Sequence, residues 1–286
     1  SSSAAAVHSA FFSIDLGQNK REIDRVWRED QRMIRESGRL ADGMLHVGGN
    51  AAQLRFPPGG RAAGMFANLS EHGFTHIPRF PSLDVDALRR EVATAMARRG
   101  ANDNTEVLYF GERLRALEPL LADEELRSVV SAYFGHEPAE LTGYAMLHLG
   151  RWVNKDLHYP SGQWHHDRCG RRLKLFVYLD SVDRRSHPTW VVRGTHKRSW
   201  FGIGSDDLTR FDEAWVHANF GARLEPMLGP KAGGFLFDTN TLHKGDVDGT
   251  HKARNVVVVE VGGWLLGRLR PPPTLWFSVL NISCRP

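Results

Sequence analysis

The pattern of apolar and polar positions divides the chain into a helical first part and a strand-rich second part. Apolar residues at helical spacing predict helices over 21–37 and Val85–Arg99, and one or two helices over 112–134, where Pro119 interrupts the pattern. From Leu141 onward the period approaches two, which is typical of strands that bury one face. The expected strands are 72–78, Tyr144–Leu149, Lys174–Asp180, Thr189–Val192, Phe235–Phe237 and Val256–Val261.

Turns rich in Gly, Pro and polar residues separate these short strands, and no helix alternates with them. This arrangement favours a mainly β fold with flanking helices and a double-stranded β-helix core (jelly roll, cupin-like) over a parallel α/β sheet. We expect a helical and loop extension over 1–68, a jelly-roll domain over 69–265 with a helical beginning, and a tail over 266–286. Residues 199–228 are expected to form an insertion with one helix around 212–218, in a position suited to a lid.

A polar cluster at 162–170 directly precedes an apolar run and carries side chains that bind metals. Side chains alternate between the two faces of an extended strand, so His165 and Asp167 project to one face and His166 to the other. One imidazole and one carboxylate on a common face are two of the three ligands of a 2-His-1-carboxylate facial triad, which leaves positions on non-haem Fe(II) open. The third ligand must be a second histidine near the end of another strand.

His243 is the candidate for the third ligand, because an apolar strand runs into a polar, Gly-containing turn just before it. Arg254 follows eleven positions later and opens the apolar run 255–261. A buried guanidinium at the mouth of such a site is a natural bidentate partner for the carboxylate of a small co-substrate. These four residues predict a metal centre with an anion anchor.

The same residues occur in an order that resembles the phytanoyl-CoA dioxygenase family of Fe(II)- and 2-oxoglutarate-dependent oxygenases. In chain order, the shared features are Trp164, the pair His165 and Asp167, the block PTWVVRGTHK at 188–197, His243 and Arg254. The resemblance covers roughly 69–261. It departs from the family at 184–187, where Arg-Arg-Ser-His replaces the usual acidic or Asn-Gly approach to the middle block.

The resemblance implies an activity and its cofactors. His165, Asp167 and His243 would be the catalytic residues and would hold Fe(II). 2-Oxoglutarate would chelate the metal with its distal carboxylate on Arg254, and O2 would be the oxidant. The implied enzyme is a dioxygenase, most simply a hydroxylase, that oxidises a small-molecule or lipid-like substrate with release of succinate and CO2. The carboxylate at position 167 favours hydroxylation over halogenation, since related halogenases have a small residue there.

Polar residues next to the ligands are expected to contact the bound molecules, as they often do in relatives. The residues expected to bind co-substrate, besides Arg254, are Lys174, Thr239 and Gln163, and those expected to contact substrate are Trp164, Arg168 and Asn240. His166 and His196 are expected to be surface or structural residues and not ligands.

Composition narrows the class of protein. A chain of 286 residues with 41% apolar content can bury a full core, and it contains no apolar run long enough to cross a membrane. The net charge of +4 is modest for this length, and basic and acidic residues are mixed along the chain, which does not indicate a nucleic-acid binder. Two cysteines are too few for a disulfide framework or a thiolate zinc site. The first six residues are too weakly hydrophobic for a signal peptide, so a cytoplasmic protein is expected, and the alternative of a targeting segment upstream of residue 1 stays open.

Basic residues cluster beside His165 and Asp167 and at the end of the block at 188–197. They are Arg168, Arg171, Arg172 and Lys174, and then Arg193, Lys197 and Arg198. One interpretation is a solvated rim. The other is attraction of an anionic co-substrate or of an acidic small-molecule substrate into the cleft.

Two functions from other classes stay open beside the oxygenase. The first is a jelly-roll protein that binds a metal or ligand without turnover. The second is a zinc hydrolase with the same His/Asp/His site, which has no need for Arg254 and is indifferent to oxygen and 2-oxoglutarate.

Overall fold

The computed structural model describes residues 59–98, 106–109, 114–134, 143–149, 160–167, 172–197, 210–247 and 252–262. Its helices are α1 (Arg61–His72), α2 (Val85–Arg98), α3 (Glu118–Leu121), α4 (Glu124–Phe134) and α5 (Glu213–Phe220). Its strands are β1 (Phe74–Ile77), β2 (Glu106–Tyr109), β3 (Gly143–Leu149), β4 (Trp164–His165), β5 (Arg172–Tyr178), β6 (Thr189–Val192), β7 (Arg210–Phe211), β8 (Leu224–Met227), β9 (Gly234–Asp238), β10 (His243–Gly245) and β11 (Arg254–Gly262).

The strands form two antiparallel sheets. The larger sheet has the order β1-β9-β5-β11-β3-β2, and the smaller sheet has the order β7-β4-β10-β6-β8. Apolar side chains from both sheets meet in one buried cluster, to which the larger sheet contributes Phe176, Phe235 and Val256 and the smaller one Val191 and Met227. The expected double-stranded β-helix is confirmed.

Helices cover the outer face of the larger sheet. Side chains along β5 alternate, so Leu175 and Val177 face the helices while Phe176 and Tyr178 face the interior. On α2, Val85, Leu88 and Val92 recur at helical spacing and are buried against this layer, as the sequence predicts. The helices thereby leave the inner face of the sheet to the candidate site.

The insertion helix α5 covers the outer face of the smaller sheet. Asp212 caps this helix, because its side chain accepts a hydrogen bond from the backbone N–H of Trp215. Val216 and Phe220 pack on Trp164 and on neighbouring apolar residues of the sheet. The expected helix in the insertion is therefore present, and it packs behind the strands that carry the two histidines.

Helix α1 is absent from the sequence-based expectations and crosses residue 68, where the extension was expected to end. It ends at Gly73, which has a left-handed φ of 86° and donates its N–H to the carbonyl of Leu69. Pro119 lies in the first turn of α3, a position that a proline tolerates, so it begins a helix here and does not break one. The helix expected over 21–37 and the tail 266–286 lie outside the described residues. No helix among the described residues is long and apolar enough to cross a membrane.

Candidate metal centre

His165 and His243 lie side by side on the inner face of the smaller sheet. Strands β4 and β10 pair so that these two residues are directly opposite each other, and directly opposed residues share a face. Their ring centroids are 4.2 Å apart, and both side chains are buried. The two histidines of the predicted triad are thus brought together by strand register, although they are 78 positions apart in sequence.

A backbone carbonyl fixes the orientation of each imidazole. His165 Nδ1 is 2.7 Å from the carbonyl oxygen of Gln163, and His243 Nδ1 is 2.8 Å from that of Thr241. A carbonyl can only accept a hydrogen bond, so each Nδ1 carries the proton and each Nε2 keeps its lone pair. Both Nε2 atoms lie 3.8 Å from Asp167 Oδ1, so all three donor atoms face one point.

Two contacts hold Asp167 in this position. Its backbone N–H donates to the carbonyl of Thr239 at 2.9 Å, in the turn that leads to His243. Its Oδ2 lies 2.5 Å from Lys174 Nζ, and Lys174 extends from the inner face of β5 in the opposite sheet. The ammonium therefore occupies one carboxylate oxygen and leaves the other directed at the histidines.

Burial keeps both imidazoles in the neutral form that binds metals. It lowers the pKa of His165 well below its usual value, and the neighbouring His243 adds to that effect while Asp167 opposes it. Burial also lowers the pKa of His243 to about 4, again against the opposing charge of Asp167. Two neutral nitrogens and one carboxylate oxygen are therefore available near neutral pH.

The donor set fits a single divalent transition metal. The three ligand atoms all lie within 4.8 Å of one another. Metal–nitrogen and metal–oxygen bonds are about 2.0–2.2 Å long, so two ligands at right angles on one ion are about 3 Å apart. The two 3.8 Å separations are wider than this, so the three side chains would close slightly on an ion as it binds. Two imidazoles and one carboxylate are the donor set of the facial triad.

Arg254 lies near this centre with its side chain buried. The residue is 2% exposed, and its Nη1 donates to Thr189 Oγ1 at 2.8 Å, which joins β11 of the larger sheet to β6 of the smaller one. Thr189 pairs with Gly245, two residues beyond His243. The guanidinium of Arg254 therefore lies beside β6, the strand next to β10, at the level of the residue two positions after His243.

The other residues of the sequence prediction occupy varied positions. Thr239 is buried in the turn before His243, where Asn240 donates its side-chain amide to the carbonyl of His196 at 2.7 Å. The side chain of Gln163 is exposed, and its carbonyl is the group that orients His165. Trp164 faces α5 on the outer side of the sheet. Arg168 lies outside the described residues.

His166 and His196 were expected to be surface or structural residues. Both are buried, and each contacts a backbone carbonyl, so the structural alternative is the one observed. His166 Nδ1 lies 3.0 Å from the carbonyl of Asp167, and His196 Nε2 lies 3.1 Å from that of Ser70. His196 also packs against Gly73 so closely that a Cβ there would be 2.6 Å from its Nδ1. The surface alternative is wrong for both residues.

Sequence reasoning missed two features beside the ligands. Arg210 on β7 pairs directly with His165 and so shares its inner face. Lys244 on the outer face of β10 is 6% exposed, and its Nζ lies 2.8 Å from both carboxylate oxygens of Glu213 on α5 and 5.3 Å from the ring centre of Trp164. Lys244 directly follows the predicted ligand His243, so its position in the sequence could have identified it. No local pattern in the sequence marks Arg210.

No protein-family model and no curated protein sequence matches the chain. Several solved structures, in contrast, match the chain. EctD from S. alaskensis with 2-oxoglutarate and 5-hydroxyectoine matches with a TM-score of 0.52 and 15% identity, over 79% of this chain and 86% of that one. HygX from Streptomyces hygroscopicus with nickel and 2-oxoglutarate bound matches with a TM-score of 0.51 and 16% identity, over 73% and 88%.

The SnoN epimerase of nogalamycin biosynthesis, described as non-haem and α-ketoglutarate dependent, matches with a TM-score of 0.50 and 15% identity, over 71% of this chain and 83% of that one. At these identities the likeness establishes a shared fold. The chain thus has the double-stranded β-helix fold found in these 2-oxoglutarate enzymes, and it carries a His/Asp/His cluster inside it.

Proposed function

We propose that the protein is an Fe(II)- and 2-oxoglutarate-dependent dioxygenase, related to the phytanoyl-CoA dioxygenase family, that oxidises a small-molecule substrate, most simply by hydroxylation. The observation that carries the proposal is the convergence of His165 Nε2, His243 Nε2 and Asp167 Oδ1 inside the barrel. The binding of nickel with 2-oxoglutarate by HygX, on the same fold, supports it.

His165, Asp167 and His243 would hold the metal. Fe(II) together with 2-oxoglutarate and O2 supplies the oxidising chemistry when bound, with succinate and CO2 as the co-products. The carbonyls of Gln163 and Thr241 prevent the imidazole rings from turning, and this preserves the lone pairs on Nε2. Lys174 holds one carboxylate oxygen of Asp167, so the other oxygen would be the one that binds the metal.

Arg254 anchors the distal carboxylate of 2-oxoglutarate. Thr189 accepts a hydrogen bond from this arginine, so the hydroxyl proton of Thr189 remains available to donate to the same carboxylate. Burial of the guanidinium strengthens such a charge-assisted bond, because water competes with it less. Thr239, Gln163 and Asn240 act in this scheme through the turn and backbone that position the histidines.

Apolar side chains close the interior around the ligands. Phe237 meets His243 edge to face, with ring centroids 4.9 Å apart, and it belongs to the buried cluster between the sheets. This packing limits the access of water to the metal, which protects an oxidising site from side reactions.

The test is anaerobic addition of Fe(II) and 2-oxoglutarate to the purified protein, followed by exposure to air with ascorbate present, which supplies the two electrons that the primary substrate would otherwise supply. We expect a weak visible charge-transfer band that needs both components, and then formation of succinate. The His243→Ala variant should develop no band. A zinc hydrolase would give no band, and a binding protein without turnover would give no succinate, so the absence of either signal from the wild type contradicts the proposal.

A further inference from the structure

A second arginine lies beside the candidate metal centre, on the side away from Arg254. Arg210 is on β7, the edge strand of the smaller sheet, and is directly opposite His165 on β4. The Cβ atoms of directly opposed residues are about 4.5–5.5 Å apart. Because His165 faces the barrel interior, Arg210 also faces the interior, next to the proximal ligand.

Arg210 and the guanidinium of Arg254 lie beside strands that are not neighbours in the smaller sheet. The guanidinium of Arg254 contacts Thr189 on β6, and β4 and β10 lie between β6 and β7. Three strand spacings of about 4.8 Å separate β6 from β7 by about 14 Å. Arg254 is also 2% exposed whereas Arg210 is half-buried.

We propose that Arg210 binds an acidic group, a carboxylate or a phosphate, on the primary substrate, and that the substrate is therefore an anionic small molecule. This inference rests on the proposed oxygenase function, in which Arg254 is occupied by 2-oxoglutarate. A guanidinium has five N–H donors in a fork that fits both oxyanions, so it can bind the substrate and keep contact with a protein neighbour. Arg210 is then a specificity-determining residue.

The test uses the full chain loaded with Zn(II), which binds the same donor atoms and does not react with oxygen, and saturated with 2-oxoglutarate. Inorganic phosphate and acetate are titrated into this complex by calorimetry. We expect the wild type to bind at least one of them saturably, Arg210→Met to bind it at least tenfold more weakly, and Arg210→Lys to be intermediate. Arg89→Met, which removes a half-exposed arginine from α2, is the matched control and should behave like the wild type. The tighter of the two probes identifies the acidic group.

Three results would overturn the inference. They are failure of the wild type to bind either anion, equal binding by Arg210→Met, and a loss of 2-oxoglutarate affinity in Arg210→Met as large as the loss in Arg254→Met. The proposed function is checked separately by titrating 2-oxoglutarate into the Zn(II) protein. If the wild type does not bind 2-oxoglutarate, the oxygenase proposal fails, while phosphate and acetate titrations without 2-oxoglutarate still report on Arg210.

Discussion

At the scale of single residues, the candidate site depends on backbone carbonyls that orient two imidazoles. The residue two positions before each histidine supplies the carbonyl, so the ligand and its support belong to the same short segment. A metal ligand whose second nitrogen is fixed in this way loses little rotational freedom when it binds the ion. Each segment therefore presents its histidine ready for a metal.

Removal of a ligand should abolish metal binding as well as turnover. For Asp167→Ala and His243→Ala we expect the affinity for Fe(II) or Ni(II) to fall by more than about 100-fold, since loss of a supporting residue alone costs roughly 10–100-fold. Calorimetric titration of the metal measures the change. His217→Gln, which removes an exposed imidazole from α5, is the control, and it should bind metal normally. Wild-type affinity in either ligand variant would refute the triad.

Lys174 and Arg254 should separate metal affinity from co-substrate affinity. Lys174 contacts Asp167, so Lys174→Met should weaken metal binding by about 10–100-fold and leave 2-oxoglutarate affinity of the fully loaded protein nearly unchanged. Arg254→Met should do the reverse, because it removes the partner of the distal carboxylate. Paired titrations of metal and of 2-oxoglutarate measure both constants. If Lys174→Met lost only 2-oxoglutarate affinity, its sequence-predicted role as a co-substrate contact would be favoured.

Acid should destabilise the metal-free protein through His243. Burial lowers its pKa to about 4 in the folded state from 6.5, so the unfolded chain binds more protons between these values. The resulting contribution of His243 to the free energy of unfolding is fully present above pH 6.5 and is lost as the pH falls to 4. It amounts to about 3 kcal/mol, because each pKa unit corresponds to about 1.4 kcal/mol. Urea unfolding at about pH 7.5 and about pH 4.5 measures it. His243→Gln should lose less stability over this range than the wild type, and an identical loss would contradict the expectation.

At the scale of elements, the length of a segment limits whether sequence can reveal it. The strands that were predicted, β1, β3, β5, β6, β9 and β11, have four to nine residues in which the apolar period is visible. Four residues are the lower limit, since β2 and β8 have the same length as β6 and were not predicted. The strands β4, β7 and β10 have only two or three residues, too few to show a period. Their positions follow from pairing with distant segments, and for this reason Arg210 could not be placed beside His165 from sequence.

The convergence of the candidate ligands was predictable for a different reason. The side chains of His165 and Asp167 share a face by local alternation, and the family-like order of motifs identified His243 and Arg254 without any knowledge of their spacing in three dimensions. The contact of Lys174 with Asp167 was not predictable, because it joins opposite sheets across the interior. Local chemistry was visible in the sequence, and contacts between the sheets were not.

The contact of α5 with β10 should make Glu213 and Lys244 energetically coupled. Lys244 is buried, so Glu213→Ala leaves a buried ammonium without its carboxylate. We expect a loss of about 1–3 kcal/mol in the free energy of unfolding, which is less than for a fully buried ion pair because Glu213 is half-exposed. The double variant Glu213→Ala/Lys244→Met should be more stable than Glu213→Ala alone, because it removes that charge and fills its place with an apolar chain. Denaturant unfolding of the four proteins gives the coupling energy. Additive effects would show that the pair does not act as a unit.

At the scale of the whole molecule, a fold shared at 15–16% identity shows what the architecture demands of a sequence. The barrel requires apolar residues at alternate positions and a few close backbone approaches, such as Gly234, where a Cβ would be 1.8 Å from the carbonyl oxygen of Phe176. It imposes little on the surface or on residues that contact substrate. The fold can therefore persist while residues that contact substrate differ between proteins that share it.

The same architecture predicts that ligands of the site stabilise the entire domain. The donor atoms come from β4, the residues that follow it and β10, while Lys174 and Arg254 come from the opposite sheet, so a bound metal and 2-oxoglutarate would join both sheets. A ligand that binds only the folded state at 100 times its Kd adds about 2.7 kcal/mol, which corresponds to a rise in Tm of roughly 5 °C for a chain of this size. Thermal unfolding with Ni(II) and 2-oxoglutarate measures the rise, and a chelator should reverse it. His165→Ala and Asp167→Ala should show no rise under the same conditions. A rise of equal size in these variants would mean that the ligands bind elsewhere on the protein.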